Sequence, residues 1–256
     1  MIIVIDYDAG NTANVLRALE KIGVTAELSA DKEKILAADG LILPGVGAYP
    51  TAMAELERRG LVAVIKEAVA QGVPLLGICL GMQILTEKGL EHEETDGLGF
   101  IPGVCRPIPA SKEQPVPHMG WNDLAVKQAS PLTDGLDGQA VYFVHSYFTD
   151  VPSQYIDVTA DYSIEVPAMI HKDNVYGAQF HPEKSGDIGL GILEKFAGLC
   201  KGARSLHSSM AFITSSVMIV DAANFSPPCT IRCPTAPISS RLFTTPVFSL
   251  VRASST

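Results

Sequence analysis

Apolar blocks alternate with amphipathic blocks along the first 80 residues, and this pattern predicts strands that alternate with helices. A continuous apolar run predicts a buried strand at 2–6, and further strands are predicted at 25–29, 41–43 and 75–78. Apolar residues spaced three or four apart predict helices at 12–22, 31–38, 49–59 and 61–71. Asp31 is expected to cap the second helix. Alternating strands and helices of this kind form a mostly parallel sheet covered on both faces.

The pattern changes in the second half of the chain. Between Leu98 and Gln179, short β segments are broken by Pro and Gly, which favours antiparallel pairing. A helix is predicted again at 187–199. The predicted fold class is therefore α/β, with a mostly parallel central sheet flanked by helices and an additional antiparallel β segment.

A cysteine follows the strand predicted at 75–78. Cys79 is the centre of a Gly-x-Cys-x-Gly pentapeptide, after which helix-favouring residues resume. Gly77 and Gly81 suit a sharp strand–turn–helix connection where side chains would collide with the backbone. A thiol at its apex lies near a helix N-terminus, which stabilises a thiolate and supplies N–H donors for an oxyanion. A buried structural cysteine beside two packing glycines is the alternative.

A nucleophilic cysteine needs a base, and the run that ends in His181-Pro-Glu183 supplies one. In an extended segment, residues two apart share a face, so Glu183 can orient the imidazole of His181 as the third member of a triad. His171 also has an acid two residues later, Asp173, in a run typical of a hairpin turn. The residue types alone leave both histidines as candidates.

The loop at 44–47, Cys79 and His181 all follow predicted strands. Ligands of open α/β sheets bind beyond the carboxyl ends of the strands. These three segments are therefore expected to meet in one cleft.

Composition excludes several function classes. Residues 1–200 contain 14 Lys and Arg against 27 Asp and Glu, a net charge of −13, so a basic nucleic-acid footprint is absent. No apolar run approaches the roughly 18 residues of a membrane span, and the N-terminal run lacks the basic flank of a signal peptide. The five cysteines show no framework spacing, which predicts a reducing compartment, the cytoplasm.

Several longer runs resemble a known family. The runs GICLGMQ at 77–83 and QFHPE at 179–183 resemble class I glutamine amidotransferases. Three more are similar to the glutaminase subunits of imidazole glycerol phosphate synthases: PHMGWN at 117–122, YFVHSY at 142–147, and the Lys184-Ser185 extension of the second run. The runs IDYDAGN at 5–11 and LPGVGAY at 43–49 fit as well, and the resemblance covers residues 1–200.

The resemblance implies that Cys79 attacks the side-chain amide of glutamine, with His181 and Glu183 completing the triad. Chemistry requires N–H donors for the oxyanion, and the N–H of Leu80 is one candidate. The family places the loop of Val46 and Gly47 at the oxyanion hole and suggests that a reorientation of the Val46 peptide controls activity. Taken alone, that loop is an ordinary strand-to-helix turn.

The resemblance also implies a glutamine pocket and the residues that line it. An acid is needed there for the substrate ammonium, and Glu91 stands at the matching position, although Glu93 or Glu94 could serve after a small shift. The complete predicted set comprises Gly47, Gln83, Glu91, Tyr142, Ser146 and Tyr147, with His145 beside Tyr142 in the wall.

A partner is implied as well. The ammonia would pass to a separate TIM-barrel cyclase subunit, in a heterodimer that makes imidazole glycerol phosphate and aminoimidazole carboxamide ribonucleotide for histidine biosynthesis. Residues at family interface positions are Asn11, Asn14, Trp121 and Lys184, although core packing would also explain Trp121. No cofactor or metal is expected.

The last part of the chain differs in composition from the rest. Residues 201–256 are rich in Ser and Thr and carry five basic residues against one acid. This predicts an amidotransferase domain at 1–200 followed by a low-complexity extension at 201–256, disordered or foreign to the family. Two other functions stay open on sequence grounds: a class I amidotransferase serving another synthase, and a catalytically silent scaffold.

Overall fold

The computed structural model describes residues 1–217, with side chains as far as Gly202. No helix in this part of the chain is long and apolar enough to cross a membrane. The cytoplasmic location and the disordered or foreign character expected of the extension stay predictions, and residues 218–256 lie outside the described part.

Fourteen strands are found within residues 1–217. In chain order they are β1 (Ile2–Ile5), β2 (Ala26–Ser29), β3 (Gly40–Gly45), β4 (Leu75–Cys79), β5 (Thr86–Gly89), β6 (Thr95–Asp96), β7 (Ile101–Pro107), β8 (His118–Asp123), β9 (Ala125–Val126), β10 (Ala140–His145), β11 (Tyr147–Asp150), β12 (Ile156–Tyr162), β13 (Ile164–Lys172) and β14 (Val175–Ala178).

Six α-helices accompany these strands. They are α1 (Thr12–Lys21), α2 (Lys32–Leu36), α3 (Tyr49–Arg58), α4 (Leu61–Ala70), α5 (Leu80–Gln83) and α6 (Gly186–Val217). Asp31 caps α2 as expected, since its Oδ1 accepts a hydrogen bond from the Lys34 N–H at 3.0 Å.

The central sheet has eight strands in the order β2-β1-β3-β4-β14-β13-β12-β9. The first five are mutually parallel, and β13, β12 and β9 continue the sheet in antiparallel fashion. Two apolar clusters pack around this sheet, one including Val15 and Leu19 of α1 and the other Leu56 of α3 and Ile65 of α4. Helices thus flank the sheet, as the sequence pattern predicted.

Two smaller sheets lie in the second half: β10 pairs with β8, and the other has the order β11-β7-β5-β6. Most pairs there are antiparallel, as expected, but β5 pairs with β7 in parallel, and β14 returns parallel to β4. The helix expected to continue after the Cys79 turn is only the four-residue α5, and β5 follows it. β5 forms because it pairs with β6 and β7, and local periodicity does not reveal such long-range pairing.

The C-terminal helix is longer than predicted. The prediction ended at residue 199, whereas α6 continues to Val217. The sequence from 203 to 217 contains neither glycine nor proline, so nothing in it ends a helix.

Candidate active site

Cys79 lies at a tight connection between β4 and α5. Its backbone has φ 55° and ψ −111°, values that L-residues rarely adopt and that place the thiol at the apex of the turn. A Cβ on Gly77 would lie 2.5 Å from the Gly81 carbonyl oxygen, and a Cβ on Gly81 would overlap the carbonyl oxygen of Leu43. Both glycines are therefore required by close backbone approach, as the pentapeptide predicted.

The thiol opens onto a cavity of about 400 Å³. Its lining includes Cys79, His181 and the loop residues Val46 and Gly47. These residues lie at or just after the ends of β4, β14 and β3, which are neighbours in the parallel part of the central sheet. The three segments expected to meet at the carboxyl edge therefore do meet there.

The side chain of Glu183 orients the ring of His181. The Nδ1 atom of His181 lies 2.8 Å from Glu183 Oε1, and the two side chains are only 2% and 1% exposed. The His181 N–H donates to the Tyr142 carbonyl at 3.0 Å, and the Ser185 hydroxyl donates to the His181 carbonyl at 2.7 Å. These bonds fix the backbone of the base as well as its ring.

The other ring nitrogen of His181 faces the thiol. Within residues 1–217, Nε2 is buried and has no partner of standard hydrogen-bond geometry, although the Cys79 sulfur lies close enough to act on the ring's charge. Burial opposes a positive charge on His181, but the Cys79 sulfur and the Glu183 carboxylate together raise its pKa to about 9. The imidazolium is therefore the favoured form of His181 at neutral pH.

Replacing Glu183 with glutamine removes the charge that holds this proton. We expect the pKa of His181 to fall from about 9 toward roughly 6.5 and glutamate release to fall by about 10²-fold or more, since a neutral amide neither favours the imidazolium nor selects its tautomer. The raised pKa of His181 contributes to the free energy of unfolding in full below about pH 6.5, and this contribution is lost as the pH rises through about 9. The glutamine variant lacks most of this contribution, so its free energy of unfolding at neutral pH should be lower than that of the wild type.

The measurement is a pH titration of the His181 ring protons by NMR in both proteins, with rates taken in parallel. Glu165→Gln is the control, because Glu165 pairs with Lys127 on the surface. An unchanged titration of His181 in the Glu183 variant would contradict the assignment.

His171, the other candidate base, lies in a different environment. Its Nδ1 lies 2.6 Å from the buried Asp157 carboxylate, and its ring stacks on Tyr176. Asp173, two residues on, adopts a positive φ in the turn between β13 and β14. His171 does not line the Cys79 cavity, so the structure separates two histidines that the sequence left equivalent.

The residues predicted for the oxyanion hole lie around the thiol. Gly45 is the β3 partner of Cys79 in the parallel register, so the loop that follows β3 starts beside the sulfur. The Tyr7 hydroxyl donates to the Pro44 carbonyl at 2.6 Å and anchors the start of this loop. Gly47 has φ 101° with open space around its Cα, and Val46 is 46% exposed. The Val46–Gly47 segment is thus uncrowded, while the start of its loop is anchored by Tyr7.

The predicted glutamine pocket is the same cavity. It is lined by Gly47, Gln83, Glu91, His145, Ser146 and Tyr147, together with Leu80, which is predicted to belong to the oxyanion hole. Glu91 Oε2 accepts a hydrogen bond from the Tyr49 N–H at 2.7 Å, at the start of α3. Glu94 instead pairs with Lys88 at 2.7 Å, and Glu93 is exposed. Of the three acids considered, Glu91 is therefore the one in the cavity.

Glu91→Ala is expected to raise the KM for glutamine by about 10- to 100-fold while lowering kcat much less, because it removes a charge that would bind the ammonium of the substrate without touching the thiol. Glu94→Ala, three residues away on the surface, is the matched control and should change neither constant. Steady-state kinetics of both variants distinguish the two acids. An equal effect of the two substitutions would contradict the assignment of Glu91.

Tyr142, which was predicted to line the pocket, is not among the residues that line the Cys79 cavity. Side chains alternate along β10, where Phe143 and His145 are buried and Tyr142 lies on the other face. Its ring meets Trp121, its cross-strand neighbour, edge-on with centroids 6.1 Å apart. Tyr142 serves the site through its backbone, whose carbonyl accepts the His181 N–H.

Gln179 was not identified from the sequence as a site residue. Its side chain is fully buried, with Nε2 3.8 Å from the Cys79 sulfur and Oε1 3.2 Å from Gln83 Nε2. The available signal was a lone amide between the apolar β14 and Phe180. A buried polar side chain at such a position needs a partner, and here the partners belong to the site.

The residues predicted for the partner interface are accessible at the surface. Trp121 is 59% exposed, so core packing does not explain it, and Met119 on the same face of β8 is 61% exposed. Lys184 is exposed at the edge of the Cys79 cavity. Asn11 precedes α1, and Asn14 lines a second cavity of about 220 Å³ that Glu183 also touches. Their role as an interface stays a prediction.

Comparison with known proteins identifies the family. A family model described as glutamine amidotransferase class-I matches residues 3–197. The chain belongs to the class-I glutamine amidotransferases. The resemblance drawn from the motifs around Cys79 and His181 is therefore confirmed.

Two relatives indicate which group of amidotransferases this chain resembles. The imidazole glycerol phosphate synthase subunit HisH of Streptococcus mutans is 81% identical over 200 residues, which cover 78% of this chain and 100% of that protein. The subunit of the same name from Listeria monocytogenes is 56% identical over 205 residues, covering 80% of this chain and 99% of that one. The amidotransferase thus groups with the HisH subunits, as its longer motifs predicted.

A solved structure supports the fold. A crystal structure titled as a glutamine amidotransferase superposes on this chain with a TM-score of 0.64 at 20% identity, covering 78% of this chain and 100% of that one. At this identity the likeness bears on the fold alone, and it confirms the predicted fold class of the amidotransferase.

Proposed function

We propose that the chain is the glutaminase subunit of an imidazole glycerol phosphate synthase, and that Cys79, His181 and Glu183 carry the hydrolysis of glutamine to glutamate and ammonia. The observation that carries the proposal is the geometry of His181: one ring nitrogen bonds to buried Glu183, and the other lies beside the Cys79 sulfur in a cavity of about 400 Å³. The 81% identical relative is named as a subunit of imidazole glycerol phosphate synthase, and this name supports the proposal that the chain serves the same synthase.

The chemistry follows from this arrangement. The Cys79 sulfur attacks the side-chain carbonyl carbon of glutamine, and the proton held on His181 Nε2 passes to the departing nitrogen as the C–N bond breaks. Ammonia leaves and a thioester remains. His181 then takes a proton from water, whose oxygen attacks the thioester, and the released thiolate and glutamate restore the site. Glu183 stabilises the imidazolium in both halves.

The oxyanion of each tetrahedral intermediate needs N–H donors, one of which typically contributes about 3 kcal/mol. Leu80 follows the nucleophile at the start of α5 and supplies the first. Val46 and Gly47 supply the second after their peptide turns its N–H toward the cavity, a change that the open surroundings of Gly47 allow. Binding of a partner near Lys184 and Val46 would couple this change to the use of ammonia.

The partner we propose is a TIM-barrel cyclase subunit in a heterodimer. The relatives are named as synthase subunits, and residues 1–217 contain one eight-stranded mixed sheet rather than a barrel of eight parallel strands. Exposed Trp121 and Met119 form an apolar surface on β8, of the kind that anchors an interface. Asn11, Asn14 and Lys184 are proposed as its polar contacts.

Glutamate release by the purified chain tests this function. The chain alone should be weakly active, and the rate should rise strongly when the cyclase subunit of the Streptococcus mutans synthase and its nucleotide ligand are added. The product imidazole glycerol phosphate should then accumulate with glutamate. A folded chain that gives no glutamate with this partner would overturn the proposal, and activation by a different synthase would point to another amidotransferase.

We also propose that residues 1–200 form the amidotransferase domain and that catalysis does not need 201–256. The Streptococcus mutans relative aligns over its full length within 200 residues, and the family model ends at 197. A chain truncated after Cys200 should keep its kcat and KM within about twofold, since it keeps every residue of the Cys79 cavity. Loss of folded, active protein on truncation would contradict this boundary.

A further inference from the structure

A continuous series of hydrogen bonds runs from the two-stranded sheet of β8 and β10 to the Cys79 cavity. Asn122 Nδ2 lies 3.2 Å from His118 Nε2, and His118 Nδ1 lies 2.9 Å from His145 Nε2. His145 Nδ1 in turn lies 2.7 Å from the Tyr147 carbonyl oxygen. The two imidazoles are 2% and 5% exposed, and the mechanism above uses neither.

The Tyr147 carbonyl at one end of this series and the Asn122 amide at the other determine which ring nitrogen of each histidine carries the hydrogen. A carbonyl only accepts, so His145 must carry its hydrogen on Nδ1, and its Nε2 must accept. His118 must then donate from Nδ1, which leaves its Nε2 to accept from the Asn122 amide. Both rings are therefore neutral Nδ1–H tautomers. Burial lowers the pKa of His118 to about 4 and that of His145 to about 3, which agrees with neutral rings.

The Tyr147 carbonyl joins this series to the cavity. It accepts from His145 on one side and from Gln83 Nε2, at 3.1 Å, on the other. Gln83 Nε2 also lies 3.2 Å from Gln179 Oε1, so both amide hydrogens of Gln83 are used. Gln179 Nε2 in turn points at the Cys79 sulfur.

This arrangement decides which end of the Gln83 amide meets the substrate. Turning the amide over would place its oxygen against two acceptors, the Tyr147 carbonyl and Gln179 Oε1. In the observed orientation, Oε1 of Gln83 accepts no hydrogen bond from residues 1–217, yet it is not a buried unsatisfied atom. Oε1 is therefore open to the cavity, where it can accept a hydrogen bond from a cationic group of the ligand.

We propose that His118 and His145 are positioning residues, which hold the Tyr147 carbonyl so that the Gln83 amide presents its oxygen to the ammonium of the bound amino acid. The proposal rests on the glutaminase function proposed above. It assigns the buried pair a role in substrate affinity rather than in the chemical step. It also connects the β8 strand that carries Trp121 to the cavity through five side chains and one carbonyl.

Two substitutions of His118 test this role, because His118 does not itself line the cavity. His118→Phe keeps an aromatic ring between Phe143 and Tyr162, against which His118 stacks at 4.6 and 4.0 Å, but removes both hydrogen bonds. We expect the KM for glutamine to rise about fivefold with kcat within about twofold. His118→Asn keeps a donor where Nδ1 stood and should restore most of the lost affinity.

A double-mutant cycle shows whether His118 acts through Gln83. If it does, His118→Phe should add nothing to the KM of Gln83→Ala, whereas independent effects would multiply. If the two KM effects multiply in the double mutant, or if His118→Phe leaves KM unchanged while the wild type is active, the inference about His118 is overturned but the glutaminase function is not. A folded wild type that neither binds nor hydrolyses glutamine would overturn the proposed function as well.

A second measurement needs no variant. Nitrogen-15 NMR of the labelled wild-type chain distinguishes the two neutral tautomers of histidine, and both His118 and His145 should carry their proton on Nδ1. An Nε2–H tautomer at either ring would overturn the inference, because the series could not then end on the Tyr147 carbonyl.

Discussion

Replacing Cys79 with alanine should lower glutamate release by about 10⁴-fold or more, because within residues 1–217 the cavity beside His181 contains no other cysteine to form the thioester. The protein should still fold, since the side chain is small and the hydrogen bonds of its sulfur to Val144 and Gln179 are long, at 3.8 Å. Glutamate release is measured with the cyclase partner present. A variant that retains more than about 1% of the wild-type rate would contradict a covalent mechanism through Cys79.

Two further cysteine variants sharpen this prediction. Cys105→Ala is the matched control, because Cys105 is also buried and burial raises the pKa of its thiol far above the usual range. It should stay active. Cys79→Gly should be as inactive as the alanine variant but more stable, by about 1 kcal/mol, since glycine relieves the positive φ of 55°. Thermal unfolding of the three proteins measures the difference.

Gly81→Ala should produce the largest loss of stability of any conservative change near the site. A Cβ at this position overlaps the Leu43 carbonyl oxygen of β3, which belongs to the central sheet and cannot move without breaking its ladder. We expect the free energy of unfolding to fall by about 3 kcal/mol or more, and the glutaminase rate with it, because α5 and the Leu80 N–H must shift.

Gly198→Ala is the control for this substitution. Gly198 is exposed within α6, and a Cβ there meets no atom within 4 Å. Alanine should therefore stabilise the protein by about 0.5–1 kcal/mol and leave activity unchanged. Denaturant unfolding curves of both variants give the two free energies. Equal and small effects would mean that the turn after β4 tolerates a side chain, contrary to the close approach described here.

Much of the fold could be predicted from the sequence, because the signals in the first 80 residues are local. A short apolar run such as the one at 75–78 and an amphipathic run such as the one at 12–22 each specify an element by their own periodicity. β5 was missed, since its four residues are polar and its pairing with β7 is set by a segment more than ten residues away. α6 was predicted too short because composition, rather than a helix stop signal, was used to end it.

The sequence by itself was enough to predict the family of this protein and the residues proposed for its chemistry. The glycines around Cys79, the spacing of His181 and Glu183, and the longer motifs depend on residues close together in the chain, where backbone geometry dictates which side chains share a face.

Only the tertiary structure decided between candidates that local spacing cannot tell apart. It separated His181 from His171 and Glu91 from Glu94, and it left Tyr142 outside the lining of the cavity. It also joined Gln179, Gln83 and the two buried histidines into one hydrogen-bonded series. These outcomes depend on hydrogen bonds between strands far apart in the chain, whose register is set by packing of the whole sheet and not by any single segment.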